Sequence, residues 1–114
     1  MLHAITDALL GAAGTDLDIG ALFPDDDPQY KDADSAVLLA EARKHVTGTI
    51  ANVDAMVLAE KPKLGPYRTA MRERIASILG IEVSQVGLKF TTMERLGPIG
   101  EGKAIACHAV ALVS

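Results

Sequence analysis

The sequence predicts an α/β fold, an α+β sandwich in which a mixed β-sheet carries its helices on one face, and three observations predict it. Leu2, Ile5, Leu9 and Leu10 recur at helical spacing near the start of the chain. Val86, Leu88 and Phe90 alternate with Gly87, Lys89 and Thr91, the period of a strand with one face buried. From Ile105 to Val113 one set, Ile105, Cys107, Ala109, Ala111 and Val113, alternates with another, Ala106, His108, Val110 and Leu112. Helical and strand periods therefore follow one another within 114 residues, a length that suits one domain with its own core.

Taken in order, the first helix is expected over residues 2 to 13, with Gly14 as its stop. Between Thr15 and Asp34 the apolar period disappears and Gly, Pro and Asp dominate. A structureless loop of about 20 residues is unusual in a small domain unless it has a function. Ser35 is the expected N-cap of a second helix, whose face is Leu38, Leu39, Ala42 and Val46 and whose end is Gly48. Thr49 to Glu60 reads as a buried strand holding Ile50, Val53, Met56, Val57 and Leu58. Pro62 to Pro66 breaks it. Pro66 then suits the first turn of a third helix, with Tyr67, Met71, Ile75 and Ile78 on one face and Gly80 closing it. The two alternating strands follow, giving helices packed on one sheet face.

Composition narrows the class. Apolar residues make up 49% and aromatics 4%, so the core must be Ala, Leu, Ile and Val. A thin core of that kind favours assembly into oligomers. Acids and bases are interspersed around a net charge of -4, which argues against nucleic acid as a partner. No run approaches the roughly 18 apolar residues of a membrane span, and no secretory signal opens the chain. Cys107 is a lone cysteine in an apolar run, read as a small buried thiol in a reducing compartment. A cytoplasmic protein with no membrane association is expected.

Four segments carry residues with chemistry in them. His3 and Asp7 stand one turn apart on the first helix, where an imidazole can be a metal ligand with the carboxylate behind it, or simply a surface histidine near a helix end. Asp18-Ile19-Gly20 and Phe23-Pro24-Asp25-Asp26-Asp27 mix a tight turn with an acidic run, which is either a binding loop or solvated surface. Ala59-Glu60-Lys61-Pro62-Lys63-Leu64-Gly65 follows a strand, at the end where open α/β sheets bind ligands, or is an ordinary strand-to-helix connection. Thr91-Thr92-Met93-Glu94 ends the next strand, its threonines explicable by strand propensity alone.

In combination these segments are more specific. His3-Ala4-Ile5-Thr6-Asp7-Ala8-Leu9-Leu10-Gly11, the Asp-Ile-Gly and Phe-Pro-Asp-Asp-Asp pair, and Thr91-Thr92-Met93-Glu94-Arg95-Leu96-Gly97 together resemble the 2-C-methyl-D-erythritol 2,4-cyclodiphosphate synthases of non-mevalonate isoprenoid biosynthesis. The resemblance implies a lyase that cyclises 4-diphosphocytidyl-2-C-methyl-D-erythritol 2-phosphate and releases CMP. It implies a homotrimer built about the sheets. Asp18, Ile19, Gly20, Phe23, Pro24, Asp25, Asp26 and Asp27 would hold the methylerythritol phosphate, and Ala59, Glu60, Lys61, Pro62, Lys63, Leu64 and Gly65 the cytosine, with Lys61 and Lys63 adding positive charge near the diphosphate. Thr91, Thr92, Met93 and Glu94 would meet the diphosphate, with Thr92 stabilising the transition state and Glu94 holding magnesium or manganese.

The resemblance also gives His3 a zinc ion, shared with an Asp-x-His pair on an N-terminal strand that precedes the matching segment in the family. That pair is absent here, so the expected single domain over residues 1–114 lacks the N-terminal strand region and is expected to be inactive as given. A noncatalytic trimeric nucleotide-binding module that has lost its metal site is the alternative. After Gly97 the family's arginine is replaced by Glu101, which puts an anion on the trimer axis in question unless Lys103 compensates.

Overall fold

Leu2–Ala12 forms helix α1, turning Ile5, Leu9 and Leu10 into the interior. The buried Thr6 hydroxyl donates to the Leu2 carbonyl one turn back at 2.8 Å, which satisfies it without a tertiary partner. Gly14 takes φ 76° just past the helix, a left-handed stop that a side chain would strain. The computed structural model describes residues 1–23, 34–61 and 63–114.

Within the expected long loop there is a further short helix, α2, Ile19–Leu22, whose N-cap Asp18 accepts the Ala21 N–H at 2.8 Å. Helix α3 spans Ser35–Arg43. Its cap is Asp34, not Ser35: the Asp34 carboxylate accepts the Ala36 N–H at 3.0 Å while the residue keeps extended backbone angles. The helix ends at Arg43, short of Gly48, where the N–H groups of Lys44, His45 and Val46 donate three residues back, to Glu41, Ala42 and Arg43; the Arg43 guanidinium donates to the Val46 carbonyl at 3.0 Å and the Leu79 carbonyl at 3.3 Å. Leu38, Leu39, Ala42 and Val46 are all buried as the spacing requires.

Strand β1 is Ile50–Leu58, and helix α4 is Arg68–Leu79, entered through a single 3-10 turn at Gly65–Tyr67 that contains Pro66. Tyr67 sits in that turn, 60% exposed, so it is not part of the helix's buried face; Ala76 and Leu79 take that place beside Ile75. Gly80 caps the helix at φ 70°. Strand β2, Val86–Thr91, follows another 3-10 turn, Val83–Gln85. Helix α5 is the four residues Gly97–Gly100, and strand β3 is Ala106–Val113, with Ile105 outside it and exposed.

The three strands form one mixed sheet in the order β2-β1-β3. β1 pairs β2 in parallel, Val53 opposite Val86 through Leu58 opposite Thr91, and pairs β3 antiparallel, Val57 opposite Cys107. α1, α3 and α4 cover the face bearing Val53, Ala55, Val57, Val86 and Leu88, and these strand residues join Ile5, Leu9, Leu39 and Ile75 in one core. Cys107 is half-buried on that face rather than enclosed, and the burial it has pushes its thiol pKa above the ordinary value. On the opposite face Val110 and Leu112 are 67% and 61% exposed. The fold is thus an α/β sandwich of one sheet and its helices, and among the described residues no helix is long and apolar enough to cross a membrane.

Two side chains hold the sheet's outer strand in place. Arg72 donates from Nε to the Val86 carbonyl at 2.8 Å and from Nη2 to the Val83 carbonyl at 2.9 Å. Gln85 Nε2 reaches the carbonyls of Ile50 and Ala51, each at 3.1 Å. Both side chains anchor the start of β2. They leave its carboxyl end to be shaped by the loops.

Candidate functional site

Because β1 and β2 are parallel, their carboxyl ends lie side by side, and the segments that leave them meet there. Ala59 and Glu60 leave β1, and the Ala59 N–H donates to the Thr91 carbonyl at 3.0 Å, extending the ladder one step. Glu60 Oε2 then accepts the Met93 N–H at 3.3 Å, which joins the two loops beyond the sheet. Between them opens a cleft of about 310 Å³, within the range of small-ligand sites. Ala59, Glu60, Lys63, Leu64 and Gly65 line one side, with Thr91 and Thr92 opposite. Pro66 and Phe90 complete the wall, and sequence reasoning missed both. The signal for Phe90 was its place immediately before the paired threonines, in phase with Val86 and Leu88.

The segment expected to meet the diphosphate forms a strained turn. Glu94 and Arg95 have φ of 50° and 69°, and the Leu96 N–H donates to the Met93 carbonyl at 3.0 Å, as in a type I′ turn. Residues with a Cβ pay about 1–2 kcal/mol each for such a conformation. The adjacent helix holds it: Gly100 is buried directly against the Arg95 backbone. Thr92 Oγ1 accepts the Glu94 N–H at 3.3 Å, which fixes the hydroxyl and leaves its proton available to a ligand. The Glu94 side chain is exposed, and it belongs to none of the ion pairs among the described residues.

Of the two loop lysines only Lys63 lines the cleft. The stem of Lys61 runs instead across Gly102, close enough that a Cβ there would stand 2.5 Å from Lys61 Cε. Lys103 Nζ pairs with Glu101 Oε2 at 3.1 Å, both exposed, so its charge is shared with the residue it was expected to offset. Met93 supplies a backbone amide to Glu60 rather than a side chain to the cleft.

The second predicted segment is held against α1. Asp7, expected to stand behind His3, accepts the Ile19 N–H at 2.9 Å and so pins the Asp18-Ile19-Gly20 turn to α1. Asp18 uses one carboxylate oxygen on Ala21 and keeps lone pairs free for a hydroxyl group. Phe23 is buried as the end of that segment. Pro24, Asp25, Asp26, Asp27 and Pro62 lie outside the described residues. No hydrogen bond among the described residues links the turn at Asp18 to the cleft at β1 and β2.

His3 is exposed, and its Nε2 stands 3.0 Å from Ser35 Oγ, joining the start of α1 to the start of α3. Among the described residues no three His, Cys, Asp or Glu side chains gather into a metal-binding group. Zinc sites take three or four protein ligands, so the described donors do not fit zinc at His3. An exposed carboxylate at Glu94 is a different case, because magnesium or manganese takes one or two carboxylates and completes its shell with phosphate oxygens and water.

Comparison with known proteins agrees with this geometry. The YgbB family matches residues 1–114. Over 115 residues the chain is 51% identical to 2-C-methyl-D-erythritol 2,4-cyclodiphosphate synthase of Rubrobacter xylanophilus, covering 99% of this chain and 69% of that one. The enzyme of the same name from Listeria innocua serovar 6a is 53% identical over 116 residues, covering 99% and 73%. Among solved structures, the CDP complex of IspF from Plasmodium falciparum superposes with a TM-score of 0.83 at 41% identity, covering 98% of this chain and 68% of that one. With the whole chain matched and half its residues shared, the protein belongs to the YgbB family, the family of the 2-C-methyl-D-erythritol 2,4-cyclodiphosphate synthases.

Proposed function

We propose that this chain is the subunit of a lyase of isoprenoid biosynthesis that converts 4-diphosphocytidyl-2-C-methyl-D-erythritol 2-phosphate to 2-C-methyl-D-erythritol 2,4-cyclodiphosphate and CMP. The observation that carries the reading is the cleft at the carboxyl ends of β1 and β2, where Ala59–Gly65 meets Thr91 and Thr92 in a chain of this family. Its apolar side suits the cytosine ring, and the turn at Thr92 and Glu94 suits the diphosphate.

In the reaction an oxygen of the 2-phosphate attacks the β-phosphorus, the bond between that phosphorus and the bridging oxygen breaks, and CMP departs with the electron pair. Attacker and target belong to one molecule, so the protein has chiefly to position them and offset charge. Asp18 accepts the erythritol hydroxyls, on a turn held by Asp7. Lys63 faces the phosphates from the cleft wall, and the Thr92 hydroxyl donates to the oxygen on which charge grows. Glu94 would hold a divalent cation, which would supply positive charge to offset that of the diphosphate.

Assembly as a homotrimer about the sheets is part of the same reading. Val110 and Leu112 leave an apolar outer face that a second copy would bury, and no hydrogen bond among the described residues joins the Asp18 turn to the cleft of its own chain. Active sites would then lie at subunit boundaries. Sedimentation at micromolar concentration is expected to give a trimer; a stable monomer overturns the assembly. A cytoplasmic location completes the reading.

The test of the activity is release of CMP from the diphosphocytidyl substrate with magnesium present, together with detection of the cyclic diphosphate. CMP binding without turnover would identify a noncatalytic nucleotide-binding module instead. A finer check uses Asp7. Asp7→Ala is expected to raise KM up to about tenfold with a smaller change in kcat, the scale of one lost hydrogen bond. Asp7→Asn keeps an acceptor for Ile19 and is expected to restore KM.

A further inference from the structure

Phe90 lines the cleft and is half-buried, its ring packed on the core at the end of β2. The Arg68 guanidinium carbon lies 5.6 Å from the ring centroid, a cation–π distance, so one part of the ring is held from α4. Phe90 is the aromatic side chain among the described residues of the wall, and Ala59, Leu64 and Pro66 add aliphatic surface around it. The cleft is thus small, largely apolar and lined by one aromatic ring that Arg68 contacts from α4. Aromatic rings bind nucleobases by stacking, which is tolerant of base identity and depends on a flat π-face more than on hydrogen bonds.

We infer that Phe90 is a nucleobase-binding residue, the aromatic wall against which the cytosine of the substrate lies, and that Arg68 is a positioning residue acting through the ring. The inference rests on the reading of the cleft as a cytidine site. It adds what sets affinity there: a stacking surface, in addition to the loop Ala59–Gly65. Arg68 does not touch the base. It limits the ring's rotation and polarises its π-system, so its loss weakens the base contact without removing it.

The experiment is calorimetric titration of the full chain with CMP and, separately, with ribose 5-phosphate, which carries the sugar phosphate and no base. The wild-type protein is expected to bind CMP more tightly than ribose 5-phosphate. Phe90→Leu, which keeps apolar volume and removes the π-face, is expected to weaken CMP on the order of tenfold and leave ribose 5-phosphate unchanged. Phe90→Tyr is expected to recover the lost affinity. Arg68→Gln, at an exposed position, is expected to weaken CMP about threefold with thermal stability retained, which keeps the test decisive if Phe90→Leu fails to fold. Wild-type binding of CMP with no loss in Phe90→Leu, or in a stable Arg68→Gln if Phe90→Leu does not fold, overturns the inference and leaves the cytidine reading standing. Absence of CMP binding by the wild-type protein overturns the reading itself, and the inference with it.

Discussion

Thr92→Val and Glu94→Gln are each expected to lower single-turnover rate by about 10²–10³-fold while CMP affinity changes by no more than a few-fold. On the proposed mechanism both side chains act on the diphosphate, where charge develops; Thr92 lines the cleft on the side opposite Ala59–Gly65, and Glu94 lies outside its lining. Valine keeps the shape of Thr92 and removes its proton, so a donor aimed at the growing charge is lost. The Glu94 amide that Thr92 accepts at 3.3 Å is exposed and can turn to water, so the fold should tolerate the change. Glutamine at 94 removes one negative charge in a turn that makes no ion pair among the described residues. Single-turnover kinetics beside CMP titration separate the two quantities. Equal losses in rate and affinity would place both residues in ground-state binding and remove them from the chemistry.

A substitution well away from the cleft is expected to reach the same chemistry. Gly100→Ala places a methyl group inside the backbone of Arg95, 2.7 Å from its Cα and closer still to its carbonyl carbon. No rotamer relieves an overlap with main chain, so α5 or the Met93–Leu96 turn has to move. Overpacking of this kind costs about 1–3 kcal/mol, which in a domain of this size lowers Tm by roughly 4–8 °C for each kcal/mol. The turn is the softer partner, since it already holds Glu94 and Arg95 at positive φ. Glu94 should shift with it. The expected result is a lower Tm, a kcat reduced about tenfold or more, and a smaller change in CMP affinity, because Ala59–Gly65, Pro66 and Phe90 of the cleft wall lie outside the turn. Differential scanning calorimetry and steady-state kinetics on one preparation check it; an unchanged kcat would show that Glu94 does not need α5.

The sequence carried the larger elements because their apolar periods are set by burial on one face. Ile5 and Leu9 of α1, the Val86–Leu88–Phe90 alternation and the stop at Gly80 were all readable in this way. It also carried the meeting of Ala59–Gly65 with Thr91 and Thr92, since parallel neighbours place their following loops together. What escaped it was decided by tertiary contact. Helices α2 and α5 have four residues each, too few to display a period, and depend on Asp18 and on the backbone of Arg95. Asp34 and Ser35 are both good caps, and only the backbone angles separate them. Asp7 looked toward His3 along the helix but found an amide twelve residues on. The direction of Lys61, away from the cleft, follows from the close approach of Gly102, which no residue pattern encodes.

The central place of β1 bears on how the chain folds. Val53 pairs with Val86 on one side and with Ala111 on the other, so both partners come from far along the sequence. Closing such distant pairs costs loop entropy before any contact repays it, and sheets built this way fold more slowly than helical bundles. α1 and α3 can meet early, but they pack over a sheet whose middle strand is still waiting for both neighbours. During that interval the apolar strip of Val53, Ala55 and Val57 is uncovered, and it offers unsatisfied backbone on both edges. The native order of strands therefore carries a kinetic hazard: at high concentration the middle strand of one molecule can recruit the edge of another before its own β3 arrives, and yield on refolding should fall as protein concentration rises.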